Sequence, residues 1–242
     1  MERYNDKKII KIGIISFIVV LIIAIIGLIM LKYEVEGENN MPFNISKIIV
    51  ASSAEGVQKK GSEYKWDFDL VQNNDFYITI EKNEWYGKDE IIKEITLDNF
   101  NVDKENSKIY MPSINDDTMF ENLEKYVVKS SLKYIGDTRT DIKNLKIANQ
   151  GSTVLFRHSN TNLGTYQSND DIEIEHSGKI LGKANIIVED IDNKVSFDIT
   201  IVTNNNSYKA NVILELNLEK LITEGVVSLE KTDCSDIIFK RI

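Results

Sequence analysis

Hydrophobic and polar positions divide this chain into one uninterrupted apolar run and a long region of alternation. The run extends from Ile12 to Leu31, twenty residues without a charged side chain. An α-helix of that length spans about 30 Å, which matches the hydrocarbon core of a bilayer. A soluble helix of the same length nearly always has a polar face, and this run has none. The pattern therefore predicts one transmembrane helix over residues 12–31.

Charged residues on either side of the run predict its orientation. Four basic residues precede it and only Lys32 follows closely; the four are Arg3, Lys7, Lys8 and Lys11. Because basic flanks remain in the cytoplasm, residues 1–11 form a short cytoplasmic tail and the C-terminal part lies outside the cell membrane. A cleaved signal peptide is the alternative, although its apolar region is normally about 7–15 residues long and ends at small residues.

Residues 43–242 follow a polar spacer at 32–42 and alternate between apolar and polar positions in many short segments. This pattern is typical of antiparallel strands with one buried face. Asn73-Asn74 predicts a tight turn between two such segments, and Asn204–Ser207 predicts a second hairpin. Sheets with one apolar face pack in pairs, so we expect an all-β antiparallel sandwich. It forms one domain, or two β subdomains that meet near 118–140.

One segment departs from the alternation. Phe120, Leu123 and Val127 share a helical face, and Thr118 with Glu121 has the spacing of a capping box. Gly136 is placed to end such a helix. The sequence therefore predicts one amphipathic helix from Thr118 to Lys133, packed across a sheet edge or an open end of the sandwich; a helix that binds a partner is the alternative.

Composition narrows the classes of function. The chain has 29 basic and 38 acidic residues, a net charge of −9, which argues against nucleic acid as a partner. Its single cysteine, Cys234, cannot form an internal disulfide, and a small buried thiol is the expected role. An exported region without disulfides, rich in Ile, Asn and Lys, indicates a bacterial surface.

Few residues suggest a chemistry. Asp171, Glu173 and Glu175 share one face of an acidic strand predicted over 170–176, where they could hold a hard cation such as Ca²⁺. A solvated strand face is the alternative interpretation. The two histidines, His158 and His176, lack the spacing of a zinc site, and no G-x-S-x-G motif occurs. The sequence thus predicts no catalytic residue and no cofactor.

Two aromatic residues stand among polar neighbours. Trp85 and Tyr86 follow Asn83 and Glu84 and precede Lys88. They could form an exposed aromatic platform for a glycan or a protein, or a half-buried anchor within their own loop.

These features predict a single-pass membrane protein that is not an enzyme. Its outer β-sandwich domain is expected to bind or scaffold another component of the cell envelope, a protein or a glycan, while residues 12–31 contact the lipid bilayer. Two alternatives stay open. One is a membrane-anchored surface enzyme or metal-binding domain that uses the strand 170–176, and the other is an accessory subunit of a membrane complex.

Overall fold

The chain forms one N-terminal helix followed by two β-sheets with few, short helices. The computed structural model describes residues 13–30, 41–64, 66–102, 104, 106–113, 119–138, 145–168 and 179–242. Helix α1, Gly13–Met30, is long and apolar enough to cross a membrane, and none of it is buried against the rest of the described chain. A helix is thus confirmed at the predicted position. We call residues 41–242 the β region.

The β region contains eleven strands among its described residues. Sheet 1 has the strand order β10-β1-β2-β7-β4, and sheet 2 has the order β11-β9-β8-β3-β5-β6. Every pairing is antiparallel except that of β5 with β6. The strands are β1 Phe43–Gln58, β2 Trp66–Lys82, β3 Ile92–Val102, β4 Ser107–Tyr110, β5 Ser131–Asp137, β6 Lys146–Ala148, β7 Gly151–Ser168, β8 Lys194–Thr203, β9 Ser207–Glu215, β10 Val226–Lys231 and β11 Lys240–Arg241. Two short helices, α2 Lys179–Lys183 and α3 Glu219–Glu224, complete it.

The two sheets contact each other through apolar faces. Phe156 of β7 stacks on Phe76 of β2 at 4.5 Å between ring centroids, and its ring meets Phe197 of β8 edge-on at 5.2 Å. Strand β8 alternates between buried and half-buried residues, as its sequence predicts. The predicted turn between β8 and β9 is confirmed. A core shared by two sheets is what the sandwich prediction requires.

The first predicted hairpin is wrong. Strand β2 continues through Asn73 and Asn74, and both side chains are buried in the middle of it. Asn is common in turns because its side chain satisfies local backbone groups. Here the amides find partners on the neighbouring strand instead: Ser159 Oγ donates to Asn73 Oδ1 at 2.5 Å, and Asn74 Nδ2 lies 3.0 Å from His158 Nδ1. Those tertiary contacts stabilise an uninterrupted strand.

The predicted amphipathic helix from Thr118 to Lys133 is also wrong. Residues 119–133 contain one short 3₁₀ turn, Glu124–Tyr126, and β5 already begins at Ser131. The apolar side chains of this segment cover β4 and β7 from an extended backbone. Phe120 packs under Arg157, and Val127 forms a β-bridge with Tyr110.

Gly136 lies inside β5 rather than at a helix end. A Cβ atom at this position would overlap the carbonyl oxygen of Ile92, so the residue allows two backbones to approach closely. Tertiary packing, and not helix termination, therefore accounts for this glycine.

The long strands of sheet 1 connect two ends of the β region. The proximal end is the one at which the chain arrives from α1; it comprises 41–43, 82–92, 149–151, 203–208 and 241–242. The distal end comprises 58–68 and 164–168. The pairing of Phe43 with Lys82 places the start of β1 and the end of β2 at the proximal end. The N–H of Ile92, at the start of β3, donates to the Asn149 carbonyl, which places sheet 2 at the same end.

The distal half of sheet 1 is covered by the short helices. Phe68 and Leu70 of β2 are buried there with Ile180 of α2 and Leu221 of α3. Met41, predicted to lie in the spacer, is completely buried at the opposite, proximal end.

Candidate functional site

A band of buried polar side chains crosses the inner face of sheet 1. Gln72 and Asn74 lie on β2 in the same phase as Phe76, so strand alternation points all three toward the core. His158 of β7 and Asp192, which precedes β8, are completely buried beside them. With half-buried Ser107 of β4, these residues form what we call the polar band: Gln72, Asn74, Ser107, His158 and Asp192.

Backbone groups fix the orientation of the polar band. The Asp192 N–H donates to Gln72 Oε1 at 2.8 Å, and Gln72 Nε2 donates to the Asp192 carbonyl at 3.1 Å. The same Gln72 amide nitrogen donates to Asn74 Oδ1 at 3.3 Å, so Asn74 Nδ2 must face His158 Nδ1. Because Asn74 donates, Nδ1 accepts, and in the neutral ring the proton lies on Nε2.

The other side of His158 faces a carboxylate. Its Nε2 lies 3.1 Å from Asp192 Oδ2, without the alignment of a hydrogen bond. Ser107 Oγ donates to the same Oδ2 at 2.5 Å. A Ser–His–Asp relay needs the imidazole between serine and carboxylate, whereas here the carboxylate stands between the other two. The polar band therefore fastens the segment before β8 to sheet 1 and does not activate Ser107 as a nucleophile.

The outer face of sheet 1 holds a second polar contact. Arg157 Nε and Nη2 donate to the two carboxylate oxygens of Asp75 at 2.6 and 2.8 Å, a bidentate pair. Burial acts to lower the pKa of Arg157, but the hydrogen bonds to Asp75 together with the negative charges of Asp75 and Glu55 outweigh it and raise that pKa. The guanidinium also lies 4.9 Å from the centre of the Phe120 ring. This pair holds the extended segment around Phe120 against the sheet.

A cleft opens at the edge where β3 ends beside β4. Its volume is about 490 Å³, within the range of small-molecule sites. Phe100 and Ile109 supply apolar wall, and Lys129 stands at its exposed side. Ser107 lines the cleft and belongs to the polar band as well, so the two features adjoin.

The predicted acidic site lies outside the described residues. Asp171, Glu173 and Glu175, as well as His176, fall in the range 169–178. Among the residues that the structure does describe, no group of three His, Cys, Asp or Glu side chains is placed to hold a metal ion. Calcium binding by the strand 170–176 stays a prediction.

Trp85 projects from the turn between β2 and β3. Its backbone N–H donates to Asn83 Oδ1 at 3.0 Å, while Asn83 Nδ2 donates to the Met41 carbonyl at 3.0 Å. The Trp85 side chain is 93% exposed, so a half-buried loop anchor is the wrong interpretation for this residue. Tyr86 is half-buried and hydrogen-bonds to Tyr208. The pKa of Tyr208 is raised, first by the burial of Tyr208 itself and second by this hydrogen bond. Binding at Trp85 and Tyr86 stays a prediction.

The polar band was not predicted from the sequence, although the sequence contains one signal of it. Gln72 and Asn74 occupy the apolar phase of their strand, and His158 occupies the phase of Val154 and Phe156. Polar residues in phase with a buried face must find partners inside the protein. No family model, curated protein or solved structure matches the chain.

Proposed function

We propose that this chain is a single-pass membrane protein that holds its β region on the outer side of the cell membrane. There the β region binds or scaffolds another component of the envelope. The observation that supports the proposal is α1, which has 18 residues, no charged side chain and no buried surface. In water, such a helix would expose large apolar side chains on every face. In a bilayer its backbone hydrogen bonds are satisfied internally.

Charge supports the orientation. The tail before α1 contains four basic residues against Glu2 and Asp6, and acidic residues Glu34, Glu36 and Glu38 come after it. This asymmetry favours a cytoplasmic N-terminus and an outer β region.

Binding is favoured over catalysis by the arrangement of the polar band. His158 of the band is completely buried, and Ser107 donates to Asp192 and not to the imidazole. The cleft beside β4 is concave and has both apolar and polar lining, which suits a peptide or glycan partner.

Labelling of introduced thiols in intact cells tests the orientation. Cys234 is a poor reporter, because burial raises the pKa of its thiol, so it is replaced by serine. In that background, Lys60→Cys in the exposed β1–β2 turn should react with a membrane-impermeant maleimide. Glu2→Cys in the tail should react only after the membrane is opened. The reverse pattern would contradict the proposed topology.

Cross-linking tests the binding function. A photo-reactive residue at Lys129, on the cleft, should form an adduct with an envelope protein or glycan in living cells. The matched control position is Lys220, which is exposed on α3, next to the opposite edge of sheet 1. Adducts at both positions alike, or none at Lys129, would rule out the cleft as the binding surface.

A further inference from the structure

The proximal end of the β region presents unusually exposed apolar side chains. Outside α1, the two most exposed large apolar residues among those described are Trp85 at 93% and Ile242 at 69%; Val226 follows at 62%. Both of the first two lie at the proximal end. Single exposed apolar residues are common on soluble proteins, and Ile242 is the last residue of the sequence, which itself increases its exposure. The nearly complete exposure of Trp85, a large side chain within a hydrogen-bonded turn, is the observation that needs an explanation.

Neighbouring elements hold these two side chains at the same end. Tyr86, next to Trp85, is hydrogen-bonded to Tyr208, and Tyr208 is the cross-strand partner of Arg241. The Ile242 N–H donates to the Ser207 carbonyl at 2.9 Å. Trp85 and Ile242 are thus presented by structures that contact each other and not by separate surfaces.

The same end receives the chain from α1. Asn83 binds both residues that open the β region: its N–H donates to the Pro42 carbonyl at 2.8 Å and its side chain to the Met41 carbonyl. Ten residues, 31–40, connect Met30 to Met41, and that length of chain reaches at most about 40 Å. Strand β2, by contrast, extends roughly 50 Å from the proximal to the distal end. A tether of that length is too short for the β region to stand on its distal end, so the proximal end is the end placed to contact the membrane.

We propose that the proximal end rests on the lipid headgroups of the membrane that α1 crosses, with Trp85 and Ile242 inserted at the boundary between headgroups and acyl chains. This inference rests on the proposed membrane function. Tryptophan suits that boundary because its ring is large and apolar while its N–H can bond to headgroups. Exposed Lys88, three residues along the same loop, can contact lipid phosphates.

The two tryptophans of the chain supply the test and its control. Trp66 opens β2 at the distal end, so Trp66→Phe leaves Trp85 alone at the proximal end and Trp85→Phe leaves Trp66. Each full-length variant is placed in phosphatidylcholine vesicles with and without lipids brominated high on the acyl chain. We expect brominated lipid to reduce Trp85 fluorescence by about half and to leave Trp66 fluorescence unchanged, because quenching requires contact with the interface.

Separate outcomes address the two proposals. Flotation with vesicles and resistance to extraction at high pH test whether α1 anchors the chain, independently of Trp85. If the chain floats with vesicles but Trp85 is not quenched, the membrane proposal stands and the lipid contact is refuted. Equal quenching of Trp66 would also refute it, since the β region would then lie flat. Unquenched but blue-shifted Trp85 emission would indicate burial against protein, which again overturns the inference.

Discussion

Asn74 and His158 stand directly opposite each other on β2 and β7, with Asn74 Nδ2 3.0 Å from His158 Nδ1. Both side chains are completely buried. Their contact lies between the core shared by the two sheets and the distal apolar region covered by the short helices. Buried polar groups are costly when they lose their partners, so removal of a member of the polar band should be destabilising.

Truncation of Gln72 should be strongly destabilising. Gln72→Ala removes the partner of both the Asp192 N–H and the Asp192 carbonyl, and it frees Asn74 Oδ1. We expect the free energy of unfolding to fall by about 2–3 kcal/mol, the cost of leaving buried polar groups unpaired. Urea unfolding in detergent measures it. Gln150→Ala, at an exposed amide, is the matched control. Equal decreases in the free energy of unfolding of both variants would show that the hydrogen bonds of the polar band do not stabilise the fold.

The hydroxyl of Tyr134 should matter for the contact between the sheets. From β5 of sheet 2 it donates to the Leu155 carbonyl of sheet 1 and accepts from the Leu155 N–H at 3.2 Å. Burial raises the pKa of Tyr134 well above its usual value, so the hydroxyl keeps the proton it donates. Tyr134→Phe should reduce the free energy of unfolding by about 1–3 kcal/mol. Tyr64→Phe, at an exposed ring, should change it by less than about 0.5 kcal/mol; a similarly small effect at Tyr134 would contradict the assigned contact.

A methyl group at Gly136 should be poorly tolerated. The added Cβ would overlap the backbone of Ile92, which cannot move away as the end of a side chain could. Gly136→Ala should therefore cost about 3 kcal/mol or more, or prevent folding. Gly87→Ala meets no atom within 4 Å and serves as the control. Thermal unfolding of the two variants side by side would decide, and wild-type stability for Gly136→Ala would mean that β3 and β5 are not so close.

Asp198 should contribute to stability in a pH-dependent way. Burial acts to raise the pKa of its carboxyl, but hydrogen bonds from Asn211, Asn99 and Lys209 outweigh it and lower that pKa. A depressed pKa in the folded state stabilises the fold above the unfolded value of about 4, and this stabilisation is lost as pH falls through the folded value.

The comparison of wild type with Asp198→Asn tests this linkage. The difference in the free energy of unfolding should be constant near neutral pH and should shrink as pH falls below about 4. Urea titrations from pH 7 to 3 measure that difference, with the exposed Glu84→Gln as the control variant. A difference that stays constant across the acid range would show that Asp198 is not the group responsible.

Strong periodicity made part of the fold predictable. Helix α1 and the β8–β9 hairpin follow from patterns that few other structures satisfy, and both are confirmed. At Asn73 and Asn74 a local rule for turns competed with partners that the sequence does not reveal, since His158 and Ser159 lie more than eighty residues away. The positions of Gln72 and Asn74 in the buried phase of the strand predicted the structure better than the turn rule. Polar side chains on a buried face must have partners inside the protein.

The prediction of a helix after Thr118 was wrong for a related reason. Phe120, Leu123 and Val127 fit a helical face, but an extended segment uses the same residues when another surface is available to cover. That surface consists of Arg157 and Tyr110, which no local pattern connects to Phe120. The polar neighbours of Trp85 in the sequence likewise did not show whether its side chain is exposed or half-buried. A loop side chain can take either position, and here the hydrogen bond from the Trp85 N–H to Asn83 fixes the backbone.

Strand β1 runs from the proximal end to the distal end, and this determines how the β region would respond to a pulling force. It starts two residues after Met41 and runs for 16 residues to the distal end, paired with β2 along its length and with β10 over part of it. A force that pulled the proximal and distal ends of the β region apart would act along this strand. Its ladder bonds run perpendicular to the strand, so they would be sheared together and not opened in succession. Resistance to such a pull depends on the unfolding rate under load, and a long sheared ladder makes that rate slow.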